Sequence, residues 1–225
     1  MLQPFRYTAY NMIHLNFKQK ITMRTFSGIL FALFFWGTFS VSAQKSTIYN
    51  SNSKDFETAV SLYNAGQYAS AKIVLDRVVS NSDNQEIQAD CLYYTALCAI
   101  RERQPNAGSW MERFVSNYPT STKKNQGYVE LGHFYFQQGD YEKALTGYEK
   151  VDEMYLAVTE SEKYNFQKGY SLFVAKNKKQ ASVYLNKVLT TSTYGSQAKY
   201  YLGFMAYEGD DYKQANQYFE SVSDE

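Results

Sequence analysis

The sequence predicts an all-α protein, a solenoid of five antiparallel helix–turn–helix units stacked along residues 54–225. Three observations carry this reading. Only three prolines occur (Pro4, Pro105, Pro119) and few runs alternate apolar with polar residues, which favours helix over sheet. Alanines recur at Ala71, Ala107, Ala144, Ala181 and Ala215 in steps of 36, 37, 37 and 34 residues. A fixed period in this range marks a repeat array. A second series of small residues, Ala59, Thr95, Gly132, Gly169 and Gly203, runs twelve residues ahead of the first.

Each element has a physical reason. Small residues twelve apart let two antiparallel helices approach near the lower end of the usual ~8–10 Å separation. Four residues after each alanine comes a large apolar residue (Leu75, Met111, Tyr148, Leu185, Phe219), and seven after comes another (Val78, Phe114, Val151, Val188, Val222). These continue the buried stripe of the second helix. In QQGDYEKALTGYEKV, Gln137 to Val151, the glycine and aspartate are therefore a joint. Gly139 ends one helix in the left-handed conformation and Asp140 caps the next, which runs from Tyr141 to Val151. Gly66-Gln67 and Gly209-Asp210 are the expected equivalents, the last glycine standing one residue earlier relative to its alanine. The units span approximately 54–84, 85–122, 123–157, 158–193 and 194–225, after a flexible stretch over 44–53.

Residues 1–43 read as an address rather than as part of the fold. Within them MRTFSGILFALFFWGTFSVSA offers Arg24 as a positive start, a mostly apolar stretch over Ile29 to Val41, and the small residues Val41-Ser42-Ala43. That is the layout of a cleavable secretory signal, with Gln44 as the first mature residue and Met23 as the expected true start. A membrane anchor needs roughly 20 apolar residues, and Gly37, Thr38 and Ser40 interrupt this shorter run. No stable membrane insertion is expected after cleavage, and the periplasm is the expected location. A lipoprotein would carry Cys where Gln44 stands.

Charge and chemistry exclude several functions. Of the 23 bases, four lie in the first 43 residues (Arg6, Lys18, Lys20, Arg24), which leaves 19 against 22 acids and a net of −3. Nucleic-acid binding needs a dense basic face, so it is not expected. Beyond residue 43 one histidine remains, His133, and no metal spacing, phosphate loop or nucleophile arrangement stands out. No enzyme, cofactor or metal is expected. Cys91 and Cys98 lie seven apart, roughly 10 Å along a helix, beyond the ~7 Å reach of a disulfide. They read as small core residues.

The period, the small residues and the joints together resemble the tetratricopeptide repeat. The best single match is YVELGHFYFQQGDYEKALTGYEKV, with Leu131-Gly132, Tyr135, Gly139, Tyr141, Ala144 and Tyr148 in register. The fourth unit departs from it, with Lys176-Asn177-Lys178 where others have Gly and Tyr, and the second rests mainly on Ala107 and spacing. The resemblance implies a right-handed superhelix whose first helices line a concave groove. Its groove positions fall on Phe56, Val60 and Tyr63, on Leu92, Ala96 and Ala99, and on Val129, His133 and Phe136. In the last two units they fall on Phe166, Tyr170 and Phe173, and on Tyr200, Phe204 and Tyr207. The partner-binding candidates are the aromatic and histidine members of this set. Each ring either meets a ligand or packs on the next unit, the polar tips of Tyr and His favouring water.

The function implied is an exported scaffold that binds a protein or peptide in an aromatic groove, in an assembly or maintenance complex of the cell envelope. The alternative is a glycan-binding accessory protein of a nutrient-uptake system, with the rings as sugar platforms. The family's Lys/Asn clamp for a terminal carboxylate is missing. Glu225 follows Val222 by three residues with no further polar-faced helix, which reads as a fragment of a longer array or as an end that a partner covers.

Overall fold

A computed structural model describes residues 53–223. The signal segment, the Met23 start and the stretch preceding Ser53 lie outside the described residues. Ten α-helices follow one another, with no strand among the described residues. They are α1 (53–64), α2 (Tyr68–Asn81), α3 (Gln85–Arg101), α4 (Ala107–Asn117) and α5 (Lys124–Gln137). After these come α6 (Tyr141–Tyr148), α7 (Val158–Val174), α8 (Lys178–Asn186), α9 (Gly195–Tyr207) and α10 (Tyr212–Ser223). This is the helical-repeat solenoid that the period predicts. Each helix packs on its chain neighbours, and α3, α5, α7 and α9 also touch one another in succession. The first helices of the pairs thus form one layer and the second helices the other.

All five joints are built alike. A residue two or three places past the end of the first helix has a positive φ in each: Gly66, Arg103, Gly139, Lys176 and Asp210. Its N–H bonds the carbonyl three residues back, and the next N–H bonds the carbonyl five back, as in Gly139 to Phe136 and Asp140 to Tyr135. This pairing satisfies the last orphan carbonyls of the first helix. In the fifth joint the structure corrects the expectation, since Asp210 and not Gly209 takes the left-handed position. An aspartate tolerates that region better than most residues with a Cβ. Second helices are capped by Asp140, which accepts from Lys143 N, by Asn177 from Gln180 N, and by Asp211 from Gln214 N.

The small columns meet the large ones. Ala71, Ala107, Ala144 and Ala181 are fully buried, as are Leu75, Met111, Tyr148 and Leu185. Fully burying a side chain of this size stabilises by roughly 1.5–3 kcal/mol. Gly132 faces the Tyr148 ring so closely that an added Cβ would lie 2.2 Å from it, while Gly203 faces Phe219 at 2.9 Å. The helix α6 is shorter than expected, ending at Tyr148 before the buried Val151. Lys150 N and Val151 N bond carbonyls three residues back, and Lys187 and Val188 do the same after α8. The last turn of both helices tightens, and the valine column stays in the core.

Both thiols are free and buried. Burial pushes Cys91 up to about 12 and Cys98 to about 11, so both are inert neutral groups of the interior. Among the described residues, no helix is long and apolar enough to cross a membrane.

Candidate functional site

The expected groove residues separate into three environments. In the first, rings bridge consecutive first helices. Phe56 and Tyr63 of α1 pack edge-on against Tyr94 of α3, at 5.7 and 5.4 Å between centroids. Phe136 of α5 meets Tyr170 of α7 at 5.6 Å, and Tyr170 meets Tyr201 of α9 at 4.9 Å. Phe173 of α7 meets Phe204 of α9 at 5.9 Å. Such edge-to-face pairs contribute about 0.5–1.5 kcal/mol beyond area burial. Tyr170 also touches Tyr141, Phe166 and Phe173, so it belongs to the packing between pairs as well as to the surface.

The second environment is interior. His133 is 3% exposed. Its Nδ1 lies 2.9 Å from the Tyr148 hydroxyl and 2.8 Å from Gln167 Oε1. The Tyr148 hydroxyl donates to the same Gln167 oxygen at 2.8 Å. With that oxygen accepting from both, the imidazole proton belongs on Nδ1, and Nε2 is buried without a protein partner. Burial, aided by the charges of Lys163 and Arg101 and opposed by the bond to Gln167, holds His133 at about 3, so the ring is neutral. Phe166 is buried too, stacked on Tyr194 at 4.8 Å. Neither residue presents a surface, although the sequence placed both in the groove.

The third environment is solvent. Tyr200, Phe204 and Tyr207 are exposed along α9, and Tyr207 is flanked by Tyr212 at 5.5 Å. These three positions repeat the columns of Phe166, Tyr170 and Phe173 one pair earlier and of Val129, His133 and Phe136 two pairs earlier.

The ring contacts do not run unbroken. Between α3 and α5 no pair of groove rings meets, and a different bridge stands there: Arg101 grips the buried Glu130 through both nitrogens, at 3.3 and 3.2 Å. Beside this bridge opens a cavity of about 1000 Å³. Its walls are α3 (Tyr93, Tyr94, Leu97), the start of α5 (Lys123, Lys124, Tyr128) and the 149–157 connection with Tyr155. Of the expected site residues only Tyr63 reaches it.

That connection is firmly held. Glu153 sits in a 3-10 turn (Glu153–Tyr155) and accepts from Tyr184 at 2.8 Å, Tyr164 at 3.1 Å, Lys168 at 3.3 Å and Lys187 at 2.9 Å. Burial raises the Glu153 carboxyl, but the hydrogen bonds from Lys187 and Tyr184 and the charges of Lys187 and Lys168 outweigh it and hold the group at about 2. On the other side Asn125 and Asp152 exchange two bonds, Asn125 Nδ2 to Asp152 O at 3.1 Å and Asp152 N to Asn125 Oδ1 at 2.8 Å. The cluster around Glu153 escapes sequence reasoning, although Lys168 in a buried column was a signal, since a lysine there needs a carboxylate partner.

Comparison with known proteins supports the repeat reading. Residues 197–225 match the model described as tetratricopeptide repeat. The fold is similar to that of MamA from strain AMB-1 (17% identity, covering 77% of this chain and 90% of that one, TM-score 0.62). It is likewise similar to MamA from Desulfovibrio magneticus RS-1 (15%, 77% and 93%, TM-score 0.59). A third solved structure, PilF of Pseudomonas aeruginosa, matches at 17% identity over 79% of this chain and 77% of that one, TM-score 0.55. No curated protein sequence matches. The last helix pair thus matches a tetratricopeptide repeat, and the described helices share the fold of these solved structures.

Proposed function

We propose that the chain is an exported, non-enzymatic interaction scaffold that takes a polypeptide along the ring-bearing side of its first helices. Its place of action is the periplasm, in a complex that assembles or maintains the cell envelope. The observation that carries this reading is the exposure of Tyr200, Phe204 and Tyr207 on α9, in the register of rings that elsewhere join one first helix to the next. Aromatic side chains of this kind anchor partners while a polar handle keeps them soluble. The signal-like layout of Met23 to Ala43 supports export.

The test is capture from envelope extract by the protein and by its Tyr200→Ala/Tyr207→Ala variant. Tyr170, with its several ring neighbours, is the poorer choice because its loss would also loosen the stack. The variant is expected to keep its helicity and melting temperature and to lose most of the captured protein. Equal capture by both forms would sink the groove. Retention of oligosaccharide with no protein would replace this reading by the glycan-binding one.

A further inference from the structure

We infer that the cavity between α3, α5 and the 149–157 connection docks an acidic segment of a partner polypeptide. This rests on the scaffold reading and adds to it the chemistry of the partner and a second place on the molecule. At about 1000 Å³ the space is at the upper end of what ligand pockets enclose. Its walls are already tied together: Arg101 to Glu130, Asn125 to Asp152, and Gln126 to Glu160 at 2.7 Å. A docking segment therefore meets a formed surface and does not bear the cost of ordering it.

Charge selects the occupant. Lys123, Lys124 and Lys150 line the cavity, and none of them stands in an ion pair among the described residues. Asp90 answers Lys123 only through space. Lys124 and Lys150 both approach the ring of Tyr128, at 6.0 and 5.5 Å, so two like charges share one small area. The carboxylates of the wall are turned to other tasks. Glu130 is held by Arg101, Asp152 caps Met154 N, and Glu160 accepts from Gln126. Arg101 and the three lysines thus face three carboxylates (Glu130, Asp152 and Glu160), so the lining keeps a net positive charge, and an incoming carboxylate relieves it.

Shape favours a polypeptide over a free anion. The Glu153 anchor holds up a connection whose Tyr155 lines the cavity at 75% exposure, and its chain neighbours Met154 (86% exposed) and Val158 at the start of α7 (87%) also face water. With Tyr63 and Tyr94 inside, they give apolar residues of the same segment a surface next to the lysines. A phosphate backbone fits less well, because the body beyond residue 43 carries net negative charge and three lysines make too small a basic face.

The experiment uses fluorescence anisotropy with two short labelled peptides, one of glutamate and leucine, the other with glutamine for glutamate. The purified protein is expected to bind the first at least about tenfold more tightly, with affinity falling as salt rises. Lys124→Glu with Lys150→Glu is expected to remove that preference while circular dichroism and melting stay unchanged. Tyr155→Ser, which leaves the charges alone, is expected to weaken the same peptide, whereas Tyr200→Ala/Tyr207→Ala is expected to leave it bound. Equal binding of both peptides overturns the inference. So does loss through the α9 variant in place of the lysine variant, an outcome that keeps the scaffold reading and moves its site. No binding of either peptide, or tighter binding of an oligogalacturonate, overturns it as well.

Discussion

The third and fifth helix pairs use one plan in two surroundings. Both close on a glycine under an aromatic ring, Gly132 under Tyr148 and Gly203 under Phe219. Both turn through a left-handed residue with the same pair of backbone bonds. Yet α5 lies between α3 and α7, while among the described first helices α9 has only α7 beside it. The column that is Val129 and His133 in the interior of the third pair becomes Tyr200 and Phe204 in solvent in the fifth. What holds a pair together is thus local to its own residues, and what a pair exposes is decided by its neighbours.

The largest expected difference between the two pairs comes from adding one methyl group to each glycine. In Gly132→Ala the new carbon would lie 2.2 Å from a Tyr148 ring that is fully buried and fixed through its hydroxyl to Gln167. In Gly203→Ala the nearest atom is 2.9 Å away on Phe219, which is only partly buried and has room to swing. Urea denaturation should show a loss of about 3 kcal/mol for the first and about 1 kcal/mol for the second. Equal losses would mean that the Tyr148 ring is no more constrained than Phe219, and the contrast between the pairs would fall.

The same contrast explains which features were legible in the sequence. The small and large columns encode contacts between residues sixteen apart in one pair, such as Gly132 and Tyr148, and these survive in a single repeat. The joint is local as well, so Gly139-Asp140 announces it, and the last joint, whose glycine stands one residue earlier relative to its alanine, gives the left-handed place to Asp210. Environment is another matter. His133 falls on a groove position of the repeat and carries a polar tip that favours water, but Gln167, one whole period later, meets that tip in the interior. Phe166 stacks on Tyr194, which stands just before α9 and outside the columns of small and large residues. The lysines of the cavity come from the start of one unit and the far end of its second helix, and nothing in the spacing says that they share a ring.

A second effect, of intermediate size, is a pH dependence confined to the third pair. His133 is held at about 3 against an ordinary 6.5, first by burial and then by the nearby charges of Lys163 and Arg101. Below pH 6.5 the unfolded chain takes up a proton that the folded chain refuses. The stability from the neutral ring is therefore complete above that pH and declines as pH falls toward about 3, by up to about 1.4 kcal/mol per pH unit. Glu153 acts in a lower window, because its carboxyl is held at about 2 against 4.5 and its share is lost only as pH drops through that range. Urea midpoints between pH 7 and 5 should thus report His133 against a background set by the other titrating groups. The protein should lose about 2 kcal/mol more over that interval than His133→Gln does. Phe204, the residue in the same column of the fifth pair, does not titrate, so Phe204→Leu should leave the slope as it is. A slope unchanged by His133→Gln would show that the ring is protonated or exposed in solution.

The smallest effect concerns the joints. Asp210 holds φ at 62° in the fifth joint, where Gly139 holds 75° in the third. A residue with a Cβ is strained there by about 1–2 kcal/mol, and glycine gives back about 0.5–1 kcal/mol of that through its greater freedom in the unfolded chain. The Asp210 carboxylate offsets a little more by accepting from the Tyr212 hydroxyl at 2.8 Å, in an exposed setting where such a bond contributes little. Asp210→Gly should therefore stabilise by about 0.5 kcal/mol, while Gly139→Ala, which adds strain with no hydrogen bond to offset it, should cost about 1 kcal/mol. Thermal melts of the two variants and their double mutant decide the point. Near-additive shifts of opposite sign would show that the two joints are independent copies of one device, as their identical backbone bonds imply. A loss of stability in Asp210→Gly would mean that the Tyr212 contact, and not the backbone conformation, sets the preference for aspartate in the fifth pair.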